Sequence, residues 1–149
     1  SNNSCGEEAL DKVLELVQEE VEVIKITNIN LVDFVSKLGS SDEIIIVGGD
    51  GTINNFINKL DGKIPSNKIY LFPAGTGNDF LTDAGYTGGL FLLNDYLVNL
   101  PKVIVNGKSH YFINGVGFGI DGYCCEKGDE LKAQSHDKID YTSIAIKGL

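Results

Sequence analysis

Apolar residues Ala9, Leu10, Val13, Leu14 and Val17 recur three and four positions apart, which predicts an amphipathic helix over residues 7–17. A short strand is predicted over 21–27. Helical spacing returns in Leu31, Val32, Phe34, Val35 and Leu38, with Gly39 placed to cap the helix end. Ile44, Ile45, Ile46 and Val47 then form an unbroken β-branched run, the pattern of a strand covered on both faces. Behind it stands Gly48-Gly49-Asp50-Gly51-Thr52, followed by Ile53, Phe56, Ile57 and Leu60 at helical spacing. The device repeats: a strand over 68–72, a loop Pro73-Ala74-Gly75-Thr76-Gly77, and a short helix over 78–84. Strands alternating with helices predict a Rossmann-like α/β fold, a parallel sheet with helices on both faces. Ligands of such sheets bind at the carboxyl ends of the strands, where both glycine loops fall.

After Gly88-Gly89 the pattern changes to a hairpin, 102–105 and 109–113 around an Asn106-Gly107 turn. A third strand is expected over 117–123 and a helix-like segment over 139–146. These readings divide the chain into an α/β unit, 1–88, and the start of a β-rich unit, 89–149, that looks cut off. With 149 residues and 42% apolar content, the chain is long enough to bury about 70% of its unfolded surface.

The formal charge is −9 and all 12 basic residues are lysine, so the arginine forks that grip nucleic acid are absent and no nucleic-acid partner is expected. Three cysteines, Cys5, Cys124 and Cys125, show no metal or disulfide spacing and fit a reducing, cytoplasmic compartment. His110 and His136 are read as surface or partly packed residues. The longest apolar stretch, 90–100, is interrupted by Asn94 and Asp95 and falls well short of the ~20 residues of a membrane span. Without an initiating methionine, the chain is expected to begin inside a longer protein.

An acidic chain that handles an anion must supply compensation by backbone N–H groups, helix N-termini or a cation. Gly48, Gly49 and Gly51 let a ligand approach the backbone closely, and Thr52 is expected to cap the following helix. Asp50 is out of place beside an anion site unless a cation lies between, which points to Mg²⁺ carried by a nucleotide.

Two such loops, GGDGTIN over 48–54 and PAGTGNDF over 73–80, resemble those of the diacylglycerol kinase catalytic-domain family of bacterial lipid, sphingosine and ceramide kinases. Tyr111 to Asp121 resembles the family's F-x-N-x-x-G-x-G-x-D strand, which opens its β-sandwich domain. The resemblance implies an ATP-dependent lipid kinase, working on the membrane surface without spanning it, with diacylglycerol as first candidate acceptor. It places Gly48, Gly49, Asp50, Gly51, Thr52, Ile53 and Asn54 around the ATP phosphates, with Gly75, Thr76 and Gly77 in the second loop. Asn78 and Asp79 would order that loop, and Thr27 would be a third nucleotide contact. Asp50 would organise Mg²⁺ and phosphate, while the general base is expected beyond residue 149. Two departures stand out: Asn55 replaces the family's glutamate, and the opening N-P-x-S-G strand is missing.

NAD kinase, a distant relative that shares GGDGT, and a catalytically silent nucleotide-binding module are the alternatives. Gly117 to Gly122 matches the dinucleotide fingerprint G-x-G-x-x-G, but no amphipathic helix follows it. This chain alone is expected to bind nucleotide weakly, to lack lipid kinase activity, and to expose strand edges that favour a homodimer or aggregation.

Overall fold

The computed structural model describes residues 4–74, 77–114 and 143–147. Helix α1, Ser4–Leu16, leads into strand β1, Val21–Lys25, which ends in a single 3-10 turn, Ile26–Asn28. Helix α2, Leu31–Ser36, begins where the Asn30 side chain accepts the Asp33 N–H at 3.2 Å. It is capped at Lys37 rather than at Gly39, whose N–H is instead bound by the Asp42 carboxylate at 2.6 Å. Strand β2, Glu43–Gly48, helix α3, Asp50–Lys59, strand β3, Ile69–Pro73, and helix α4, Asp79–Asp83, reproduce the two strand-loop-helix units.

Helices lie on both faces of the sheet because β2 and β3 are apolar on both sides. Ile44, Ile46, Ile69 and Leu71 pack with Ile53, Phe56 and Ile57 of α3. Ile45, Val47 and Phe72 pack against Ala9 and Val13 of α1. Successive strand residues face opposite ways, so one unbroken apolar run serves two cores.

The expected all-parallel sheet is corrected to a mixed one. Strand β2 is parallel to β3, but β4, Phe91–Leu92, is antiparallel to β3. No helix carries the chain onward from α4. Gly85, Gly88 and Gly89, all at positive φ, turn it back along the strand it has just left. The helix-like reading of 139–146 is corrected over its described part, 143–146, since Ser143–Lys147 is a strand, labelled β7 below. Ile144 and Ile146 alternate with Ser143, Ala145 and Lys147, which is the period of a strand.

Strand β7 lies between β1 and β2 and is antiparallel to both, giving the order β1-β7-β2-β3-β4. Lys25 and Val47 both align with Ser143, so β1 and β2 run in the same direction and end at the same edge of the sheet.

The hairpin forms as the sequence predicts. Its strands β5, Lys102–Val105, and β6, Lys108–Tyr111, are joined by Asn106 and Gly107, both at positive φ. His110 is exposed on it. The strand expected over 117–123, together with Asp121, Cys124, Cys125 and His136, falls outside the described residues.

Candidate functional site

The two strand-to-helix corners meet at the carboxyl edge of β2 and β3. Gly48 ends β2 under the Thr52 side chain, and a Cβ there would lie 2.6 Å from the Thr52 Cβ. At Gly49 a Cβ would strike the Gly77 carbonyl oxygen. The loops are joined by two backbone bonds, Asp50 N–H to the Gly77 carbonyl at 2.8 Å and Ala74 N–H to the Gly48 carbonyl at 3.1 Å.

Helix α3 starts earlier than its apolar spacing suggests. The Gly49 carbonyl accepts the Thr52 and Ile53 N–H groups, so Gly49 is the cap, Asp50 the first helical residue, and Thr52 already lies inside the first turn. The expectation that Thr52 caps the helix is corrected accordingly.

Asp50 is not a solvated loop residue, being only 7% exposed. Its Oδ2 accepts from the Phe80 N–H at 3.1 Å and from Asn114 Nδ2 at 2.8 Å. Its Oδ1 is buried and accepts no hydrogen bond. A buried carboxylate oxygen without a donor is costly to maintain, by about 1–3 kcal/mol or more for a charged group.

Gly51 and Gly77 differ from their neighbours in being exposed, and a Cβ at either would meet nothing within 4 Å. Packing among the described residues does not require glycine at these two positions. The Gly51 N–H also finds no acceptor among the described residues.

The remaining candidates sit on the elements that flank the two corners. Thr27 is exposed in the 3-10 turn beyond β1, at the same sheet edge, with its hydroxyl donating to Asn28 Oδ1 at 3.2 Å. The Ile53 side chain belongs to the core, which leaves only its backbone near the loop. Asn54 Oδ1 accepts the Ile113 N–H at 3.1 Å, so this side chain engages the segment after the hairpin. Asn78 precedes α4, its carbonyl accepting the Thr82 N–H and hydroxyl, and Asp79 is the exposed first residue of that helix. Gly75 and Thr76 lie outside the described residues.

Sequence reasoning overlooked two contributors. Phe80 anchors the second loop through edge-on contacts with Phe91 and Tyr96, at centroid distances of 5.9 and 5.0 Å, while its amide holds Asp50. Asn114 arrives from 64 residues away, and only its place in the F-x-N segment could have drawn attention to it.

Residues 1–98 match the family model of the diacylglycerol kinase catalytic domain. Two curated relatives, each named as a candidate lipid kinase, come from Staphylococcus haemolyticus and Staphylococcus carnosus. Each is 28% identical over 113 residues, covering 72% of this chain and 36% of the relative. The chain thus spans about a third of the length of these relatives. No solved structure matches it. The matched region contains both interlocked glycine corners and the buried Asp50 between them, and by that match this chain belongs to the diacylglycerol kinase catalytic-domain family.

Proposed function

We propose that the chain is the nucleotide-binding part of a lipid kinase that transfers the γ-phosphoryl group of ATP to a lipid hydroxyl, with diacylglycerol the first candidate. The observation that carries this reading is the pair of interlocked corners at the carboxyl edge of β2 and β3. There a buried carboxylate oxygen lacks a donor, and an amide at a helix start lacks an acceptor, side by side in the chain.

The Gly51 amide and the positive end of α3 suit a phosphate oxygen. Open space at Gly51 and Gly77 lets that oxygen approach the backbone. A Mg²⁺ ion brought by the nucleotide would offset phosphate charge, and Asp50 is the carboxylate of this corner that would hold it. Phe80 and Asn114 fix one Asp50 oxygen and so keep the carboxylate oriented. Asp50 would hold that ion's charge against the phosphates rather than take the acceptor's proton.

The hairpin and the residues after it would begin the acceptor-binding unit. The lipid would be met at the membrane surface; among the described residues no helix is long and apolar enough to cross a membrane.

Incubating the full-length protein with γ-labelled ATP, Mg²⁺ and mixed micelles of diacylglycerol or a sphingoid base, or with NAD, tests this reading. Labelled phosphatidic acid is the expected product. Label in NAD alone would replace the lipid reading, and ATP binding without any transfer would leave a silent nucleotide-binding module.

A further inference from the structure

Helix α3 carries a second pattern, independent of its apolar face. Asp50, Asn54 and Asn58 are spaced four residues apart and form one polar stripe. Each engages the same short segment at the end of the hairpin. Asn58 pairs with Tyr111 through two bonds, Nδ2 to the Tyr111 carbonyl at 2.7 Å and the Tyr111 N–H to Oδ1 at 2.9 Å. Its carboxamide thus presents a donor and an acceptor to Tyr111 as a neighbouring strand would. Asn54 takes the next free amide, Ile113, and Asn114 then reaches Asp50.

Beyond the helix end, the floor of the contact is Gly62 at φ +70°, where a Cβ would lie 2.6 Å from the Tyr111 ring. The segment is therefore held along the whole of α3, and the last side chain it delivers is the one that bonds the buried carboxylate. Asn58 itself is exposed, lies about 12 Å along the helix from Asp50, and is no part of either glycine loop.

We propose that Asn58 is a positioning residue for Asp50, acting through the clamped segment 111–114 and Asn114. A helix side chain two turns from the loop thereby sets how firmly the carboxylate is held, and ties hairpin docking to the glycine corner. By linkage, a ligand that engages Asp50 must alter hairpin docking by the same free energy by which docking alters the ligand's affinity. The proposal rests on the nucleotide-binding reading only for its functional consequence.

The Phe80 amide supplies a readout that a local tie would not move. It lies in the first turn of α4, has no helical acceptor, and donates to the same Asp50 oxygen as Asn114. Amide hydrogen exchange by NMR on the chain, comparing the native sequence with Asn58→Ala and Asn114→Ala, tests the relay. Alanine is a better helix former than asparagine, so Asn58→Ala should keep α3 intact.

Asn58→Ala is expected to speed exchange at Tyr111, Ile113 and Phe80 at least fivefold while Ile46 and Leu71 in the core are unchanged. Asn114→Ala is expected to speed Phe80 while Tyr111, still held by Asn58, is unchanged. Freed Tyr111 and Ile113 amides with a native Phe80 rate would overturn the proposal, as would a uniform rise that includes Ile46 and Leu71, or no change anywhere. In a parallel titration with Mg-ATP, Asn58→Ala should weaken binding at least threefold. If the native chain binds no nucleotide, the kinase reading falls while the exchange result still decides the role of Asn58.

Discussion

Strand β3 begins and ends in corners of opposite character. At its amino end, Asn67 Nδ2 donates to the Gly39 and Asp42 carbonyls, each at 2.8 Å. Asn94 accepts the Ile69 N–H at 2.9 Å and donates to the Asn67 carbonyl at the same distance. Two asparagine carboxamides thus close that corner by standing in for missing sheet partners. At the carboxyl end, Asp50 keeps an oxygen without a donor and Gly51 an amide without an acceptor. Both corners join the same strands and are built from small polar residues. The first corner satisfies its polar groups internally, whereas the second leaves two unpaired among the described residues, which are the groups a nucleotide would meet on the proposed reading.

The largest effect is expected where the open corner is tightest. Gly48→Val would drive a side chain into Thr52 and should cost about 3 kcal/mol, read as a lower denaturation midpoint at unchanged m-value. At the closed corner, Asn94→Ala should cost about 2 kcal/mol by stranding the Ile69 amide and the Asn67 carbonyl. Mg-ATP affinity should not change in Asn94→Ala, and a comparable loss of affinity would erase the contrast between the two corners.

Asp50→Asn should lower lipid phosphorylation by the full-length protein at least tenfold, ~1.4 kcal/mol, when assayed at saturating ATP. Near-native turnover would remove Asp50 from the charge-holding role.

Gly51→Ala separates ligand binding from packing. Nothing among the described residues opposes the new methyl group, and alanine is the better helix former, so the melting temperature should hold or rise. Calorimetry should nevertheless show Mg-ATP affinity falling about fivefold, ~1 kcal/mol, because the methyl group sits where phosphate would approach. Unchanged affinity would mean that the open corner is only a turn.

The smallest change is expected at Tyr86, away from both corners, whose hydroxyl donates to the Gly89 carbonyl at 2.8 Å. Tyr86→Phe should cost about 0.5–1 kcal/mol. Burial raises this phenol above its ordinary value of 10.0. The neutral form is therefore favoured in the folded chain, and its stabilisation is intact below pH 10.0 and lost as pH rises through the raised value. A stability profile taken above pH 10.0 should be flatter in Tyr86→Phe than in the native chain.

Local features of the chain were sufficient for much of this architecture. The unbroken Ile44–Val47 run specifies a strand covered on two faces, and the 53, 56, 57, 60 spacing specifies which face of α3 is buried. The glycine clusters mark both corners, and at Gly48 the requirement is local, because the Thr52 side chain one helical turn on fills the space a Cβ would take. Asn106-Gly107 likewise sets its own turn through positive φ. Each of these depends on residues adjacent in the chain or one helical turn apart.

Tertiary structure decided what depends on distant partners. Strand β7 joins the sheet between β1 and β2 through registers that span about a hundred residues, which no local period encodes. The cap of α3 falls at Gly49, and the amide of its first residue, Asp50, is taken by the other loop's Gly77 carbonyl. Asp50 became a buried, oriented carboxylate only when Phe80 and Asn114 converged on one of its oxygens from two further elements. The Asp50-Asn54-Asn58 stripe is present in the sequence, yet three polar residues on a helix ordinarily face water. Only the docked hairpin, with its free amides and carbonyl at matching intervals, turns that stripe into a clamp.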